Sequence, residues 1–186
     1  VGSEMCIRDR SIASTTGFAS SDFNLWPDFS RYVLLLLMFV GGCSGSTAGG
    51  MKVSRFVILL KVTWAELRRT IHPRLVYSIK MGGRNVPPVV VGNVTRFFYL
   101  YMIVFSTLTL LISLTGLSML DSMGIIAACM SSVGPAFGIV GPTATYADVS
   151  TFGRLVVIAA MILGRLEIFT LLIIMRPDFW RVKRNW

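Results

Sequence analysis

"FVGGCSGSTAGGMKV", Phe39 to Val53, breaks a membrane-grade apolar run with small residues from Gly41 to Gly50 and then lets the run resume. Tyr32 to Val40 is too short to cross a bilayer alone, and so is the mixed stretch after Met51, since a spanning helix takes about 20 apolar residues. Joined through the interruption, Tyr32 to Val62 is long enough. The interruption then falls at membrane depth, where non-helical backbone is tolerated only if it is buried in protein or lines a watery cavity.

The rest of the composition agrees. Of 186 residues, 54% are hydrophobic and 15% charged, and the mean hydropathy is +0.69. This marks an integral membrane protein rather than a soluble domain. A net charge of +9 raises nucleic acid as a partner, but no aromatic-basic motif or zinc spacing accompanies it, and membrane proteins collect Lys and Arg in cytoplasmic loops. Nucleic-acid binding is therefore excluded from the reading. Cys6, Cys43 and Cys129 are far apart with no CxxC, so free, packed thiols are expected rather than disulfides or a metal site. His72, the single histidine, precedes a proline in a basic loop with no nucleophile or paired carboxylates nearby, so no enzyme and no cofactor is expected. The opening "VGSEMCIRDR" has neither a signal-peptide core nor a helical face, and residues 1–10 are set aside as a non-native or disordered tail.

After the broken helix come an uncharged run at Phe97–Leu117 that is long enough to span and a short apolar stretch at Asp121–Ser132 that suits a re-entrant helix. A second full-length run, Leu155–Met175, carries Arg165 and Glu167 near its centre. Arg68, Arg69, Arg74, Lys80 and Arg84 put the loop before Phe97 in the cytoplasm, and Arg176, Arg181, Lys183 and Arg184 put the C-terminus there too. Ser118–Ser150 and Ser11–Arg31 then face outward. A weak internal repeat fits this layout: Arg31, nine apolar residues and Gly41 match Arg154, nine apolar residues and Gly164.

Before each inward-running helix lies a glycine loop, Thr15-Thr16-Gly17-Phe18 and Ser132-Val133-Gly134-Pro135. Ion filters replace a cation's hydration shell with backbone carbonyls, and glycine supplies the dihedrals that turn them inward. The C-terminus of a preceding helix favours a cation there. Arg165 in mid-span should face the bundle interior and find a partner. Glu167, two residues away, points to another side of the helix, whereas the repeat register sets Arg165 level with Gly42 and the carbonyls of the small-residue loop. A fixed positive charge and a loop at one depth describe a gate. An ordinary turn at each glycine loop, and a hinge at the break, are the plainer alternatives.

These stretches, "STTGFASSDFNLWP", "GGCSGSTAGGMKV", "LRRTIHPRLVYSIKMGGRNVP", "SSVGPAFGIVGP" and "MILGRLEIFTLL", resemble the C-terminal half of the Trk/Ktr/HKT superfamily of potassium-uptake proteins, most closely its bacterial TrkH branch. The resemblance implies an all-α integral membrane fold of membrane–pore–membrane repeats with re-entrant pore helices and filter loops. Residues 11–62 correspond to the filter loop and broken inner helix of a third repeat, 63–93 to a cytoplasmic basic connection, and 94–186 to a complete fourth repeat with a cytoplasmic C-terminus.

It further implies that Thr15, Thr16, Gly17 and Phe18 with Ser132, Val133, Gly134 and Pro135 bind potassium. Gly41, Gly42, Gly45, Ser46, Thr47, Gly49 and Gly50 would form the gate loop facing Arg165. The implied partners are the missing first two repeats of the same polypeptide, a second copy in a homodimer, a cytosolic nucleotide-binding regulatory subunit, and the lipid of a bacterial cytoplasmic membrane. A cation-coupled secondary transporter with its site at the broken helix and a non-conducting membrane scaffold are the competing functions.

Overall fold

In the computed structural model the described residues are 11–12, 14–18, 24, 26–43, 45–46, 49–72, 78–141 and 145–165. The fold is helical: α1 (Asp28–Val40), α2 (Val53–Ile71), α3 (Pro88–Ser113), α4 (Met119–Met130) and α5 (Thr151–Arg165), with short 3-10 turns at Gly138–Val140 and Tyr146–Asp148. The small-residue interruption does break a helix. α1 ends where Gly41 takes φ +68°, and α2 starts again at Val53. The break is drawn closed by the amides of Met51 and Val53, which donate to the carbonyls of Phe39 and Gly42 at 3.0 Å each.

The helices depart from the expected limits, mostly by starting earlier or running longer. α1 begins at Asp28 because Pro27 precedes it with extended backbone and Asp28 complements the first turn's free N–H groups. α2 continues to Ile71, since its charged second half still has the helix-forming residues that the apolar count ignores. α3 starts at Pro88 rather than Phe97, with proline in the first turn, where no N–H is needed, and it closes at Ser113 rather than Leu117. The connection at 63–93 is thus helical at both ends. Between them lies an element absent from an all-α expectation, an antiparallel pair β1 (Lys80–Met81) and β2 (Arg84–Asn85). Gly82 and Gly83, both at positive φ, form its two-residue turn, a hairpin signal present in the sequence. The Lys61 ammonium donates to the Lys80 carbonyl at 2.6 Å and ties the hairpin to α2.

α4 is the centre. Gly124 to Met130 are buried all round, as expected of a helix apolar on every side. Ser118 caps it, accepting from the Asp121 amide at 3.2 Å. α3, α5 and α1 surround it, and α5 meets it through a stripe of Gly153, Val156, Val157 and Ala160, the i, i+3, i+4, i+7 pattern of one helical face. Among the described residues α3 is the one helix long and apolar enough to cross a membrane. Large apolar side chains are exposed along its outer face, Ile103 and Leu110 among them, and Leu155 and Ile158 do the same on α5.

Cys129 is a buried free thiol as expected, but Cys43 is exposed, because it sits in the loop that leaves α1 rather than on a packed face. His72 is exposed just past the end of α2.

Candidate functional site

Both glycine loops begin as a helix end, and both ends have the same hydrogen bonds. The Thr15 amide donates to Ile12 and the Thr16 amide to Ser11, at 3.0 and 2.9 Å. The Ser132 amide donates to Cys129 and the Val133 amide to Ala128, at 3.2 and 2.9 Å. An i→i−3 bond beside an i→i−5 bond is the Schellman termination, which needs a left-handed residue at the first position past the cap and usually takes glycine there. Here that residue is Thr15 (φ +55°) in one loop and Ser132 (φ +57°) in the other, the two left-handed non-glycine residues among those described. Two positions on, Gly17 and Gly134 are again at positive φ, +76° and +99°. The loops therefore share the same helix termination and the same spacing of left-handed positions.

A left-handed conformation costs an L-residue about 1–2 kcal/mol, and for a β-branched one such as Thr15 it is a genuine outlier. Strain of this kind persists where the surroundings impose it and clusters at functional sites.

The two loops touch. A side chain at Gly17 would run into the Val133 carbonyl, with Pro135 Cδ and the Val133 carbonyl carbon close behind at 3.1 and 3.3 Å. Outside them, Asn24 grips the chain at Gly138 with its whole amide: Nδ2 donates to the Gly138 carbonyl at 3.2 Å, and Oδ1 accepts from the Gly138 amide at 2.9 Å. The Asp121 carboxylate fills the space beside Gly138. The Arg31 guanidinium lies 5.8 Å from the centre of the Phe137 ring and 3.3 Å from Asp28.

Gly134 is held from another side. The Tyr146 hydroxyl donates to its carbonyl at 2.7 Å and lies 3.5 Å from the Cys129 sulfur. Burial pushes the Tyr146 phenol above its ordinary range, so it remains a neutral donor. Of the four carbonyls from Ser132 to Pro135 expected to face an ion, Gly134's is thus already an acceptor, with one lone pair left.

The helix-break loop reaches the same place. Gly49 lies against the Ser131 carbonyl, with Ser132 Oγ 3.0 Å from where its Cβ would be. Gly164 of α5 lies against the Met130 backbone. The end of α4 is therefore contacted by both the loop and the helix that carries Arg165. Within the loop, Gly41 and Gly50 let its two ends pass backbone to backbone, the Gly41 Cα lying 3.3 Å from a Cβ placed on Gly50. Gly42 is half-buried, while Gly45 and Ser46 are exposed. Thr47 lies outside the described residues, as does Glu167.

Arg165 departs from expectation: it is exposed rather than buried inside the described bundle. The reason is helical phase, since it falls off the stripe that ends at Ala160 and Gly164. It lines a cavity of about 590 Å³ together with Cys129, Ser132, Val133, Gly134 and Met161. The side chain of Phe18 is exposed as well, so only its backbone could serve an ion.

Residues 10–181 match the family described as TrkH, cation transport protein. The chain belongs to the TrkH family. Among TrkH relatives, the Trk system potassium uptake protein TrkH of Vibrio parahaemolyticus is 44% identical over 92% of this chain. That of Escherichia coli K12 is 40% identical over the same share, and TrkG of that strain 36%. The crystal structure of the potassium transporter TrkH from Vibrio parahaemolyticus superposes with a TM-score of 0.81 at 43% identity, covering 91% of this chain and 36% of that one. The chain spans about 35% of the length of the curated TrkH relatives it matches.

The sequence does not single out Asn24, Phe137 or Tyr146, and it marks Arg154 only as a point of register. Asn24, Tyr146 and Arg154 bond backbone far along the chain or around a loop, Phe137 meets Arg31 across the chain, and a lone polar or aromatic residue in a turn carries no periodic signal.

Proposed function

We propose that this chain supplies two of the four walls of a potassium-conducting pore in a bacterial cytoplasmic membrane, as the third-repeat filter and inner helix and the complete fourth repeat of a TrkH-type transport subunit. α4 is then a re-entrant pore helix, and residues 11–18 are the end of another. The observation that carries the reading is the shared strained course of the two loops, left-handed at Thr15 and Gly17 and again at Ser132 and Gly134. An ordinary turn would use glycine at the first of these positions; two strained hydroxyl residues in register indicate that backbone and side-chain oxygens are being aimed.

Thr15, Thr16, Gly17 and Phe18 with Ser132, Val133, Gly134 and Pro135 would offer oxygens to a dehydrated potassium ion. The negative end of the α4 dipole favours the ion at that place. The relatives' names, which speak of potassium uptake, support the choice of cation. Gly41, Gly42, Gly45, Ser46, Thr47, Gly49 and Gly50 would form the gate, with Arg165 presenting its positive charge to the ion path across the shared cavity. The remaining walls would come from two further repeats, and the assembly would be a homodimer regulated by a cytosolic nucleotide-binding subunit on the side of the basic segment Arg68–Arg84. No enzymatic step and no cofactor enters this reading.

The test is a chimera in which residues 10–181 replace the matching segment of the Vibrio parahaemolyticus TrkH, expressed in a host that cannot grow on low potassium. Rescue of growth with measurable potassium uptake is expected. A chimera that reaches the membrane and passes no potassium would leave the scaffold reading in its place, and uptake that demands a co-transported substrate would favour the carrier.

A further inference from the structure

We propose that Tyr146 is a positioning residue of the fourth-repeat filter loop, whose hydroxyl fixes the peptide plane after Gly134 and so sets the loop's discrimination between potassium and sodium. The inference rests on the filter reading above and deepens it. The neighbours Val133 and Pro135 are packed by Gly17, but Gly134 has open space where a side chain would be. Its φ is +99°, and no atom lies within 4 Å of the point where a side chain would start. The peptide that follows is an amide of Pro135, which has no N–H, so the carbonyl is its one hydrogen-bonding handle. That handle is taken by the Tyr146 hydroxyl at 2.7 Å.

A restraint is only as firm as what carries it, and the turn bearing Tyr146 is anchored. Arg154 of α5 donates through Nη2 to the Ala147 carbonyl at 2.6 Å and through Nε to the Val149 carbonyl at 2.9 Å. Val149 is buried, and Ser150 Oγ caps the helix by accepting from the Gly153 amide. The inner helix is thereby connected, through Arg154 and Tyr146, to a carbonyl in the loop. The other loop is restrained differently: Gly17 is packed on Val133 and Pro135. In the Arg31–Arg154 register the counterpart of Tyr146 is Phe23, which has no hydroxyl. Selectivity between ions of one charge depends on how firmly the oxygens keep their spacing and number, so loss of this bond should relax the choice of ion before it stops flux.

The experiment uses the chimera described above and measures initial rates of potassium and sodium uptake separately. Tyr146→Phe, with unchanged amount and elution volume of the detergent-extracted protein, should lower the potassium-to-sodium rate ratio by roughly three- to tenfold, the range expected for one hydrogen bond, and raise KM for potassium. An unchanged ratio in that variant overturns the proposal while leaving the filter reading intact. Should Tyr146→Phe fail to assemble, Arg154→Met, which keeps the apolar stem and removes both donors, is expected to lower the ratio in the same direction, and an unchanged ratio there overturns the proposal as well. A parent chimera that assembles but passes no potassium removes the filter reading and this inference with it.

Discussion

The carbonyl of Val133 occupies the space in which a side chain at Gly17 would begin. Two loops more than a hundred residues apart in sequence thus meet backbone to backbone, each just past a helix end of the same design.

This contact separates the two glycines energetically. Gly17→Ala must take both the left-handed strain of about 1–2 kcal/mol and an overpacking cost of about 1–3 kcal/mol against rigid backbone. Gly134→Ala meets no atom within 4 Å and takes the strain alone. Thermal melting of the two detergent-solubilised chimera variants should show Gly17→Ala the less stable by several degrees. Equal melting temperatures would mean that the loops are not in contact.

The loop at the helix break offers a matched pair. Gly49 lies against the Ser131 carbonyl, whereas Gly45 has open space around it. Gly49→Ala should push the loop off the end of α4 and raise basal potassium leak in the chimera. Gly45→Ala, at φ +87°, should lose about 1–2 kcal/mol of stability with little change in leak. A leak that rises equally in both variants would argue that the loop responds to strain alone.

Arg165 shares a cavity wall with Ser132, Val133 and Gly134. A fixed positive charge there raises the barrier to a cation, so Arg165→Ala should increase basal potassium flux, and Arg165→Lys should retain most of the block. Unchanged flux together with an unchanged response to nucleotide would remove Arg165 from the gate.

Asn24 makes a donor and an acceptor bond to the same residue, Gly138. Asn24→Ala leaves a backbone amide and a carbonyl without their partners, which costs about 1–3 kcal/mol for each group left unsatisfied in a buried setting. The variant should melt earlier than its parent while its potassium-to-sodium ratio stays closer to normal than that of Tyr146→Phe. A fall in the ratio as large as in Tyr146→Phe would show that the outer loop moves as one body.

Much of this architecture is legible in the amino-acid sequence. Apolar run lengths locate α4 and the start of α5 to within a few residues, and the end of α3 likewise, while α3 starts earlier, at Pro88, and the expected end of the last run at Met175 lies outside the described residues. The residues that run lengths miss are those in which helix propensity continues beyond the apolar stretch. The break at Gly41 is visible because glycine, serine and alanine cannot supply a membrane-facing surface. Gly41 and Gly164 correspond in the sequence register, but the two glycines do different things. One ends a helix at positive φ, and the other stays inside α5 and packs on Met130.

By itself, the sequence determined the helices, the interruption and the position of two small-residue loops, because each follows from composition and spacing along a few turns of chain. Only the tertiary structure decided that Thr15 and Ser132 are both left-handed, that Gly17 abuts Val133, that Arg165 falls outside the buried stripe of α5 and that Tyr146 takes hold of the Gly134 carbonyl. Periodicity records whether a residue is buried, not what it is buried against. Hydrogen bonds to a distant carbonyl depend on how the elements pack, and a lone Tyr or Asn in a turn carries no trace of its partner.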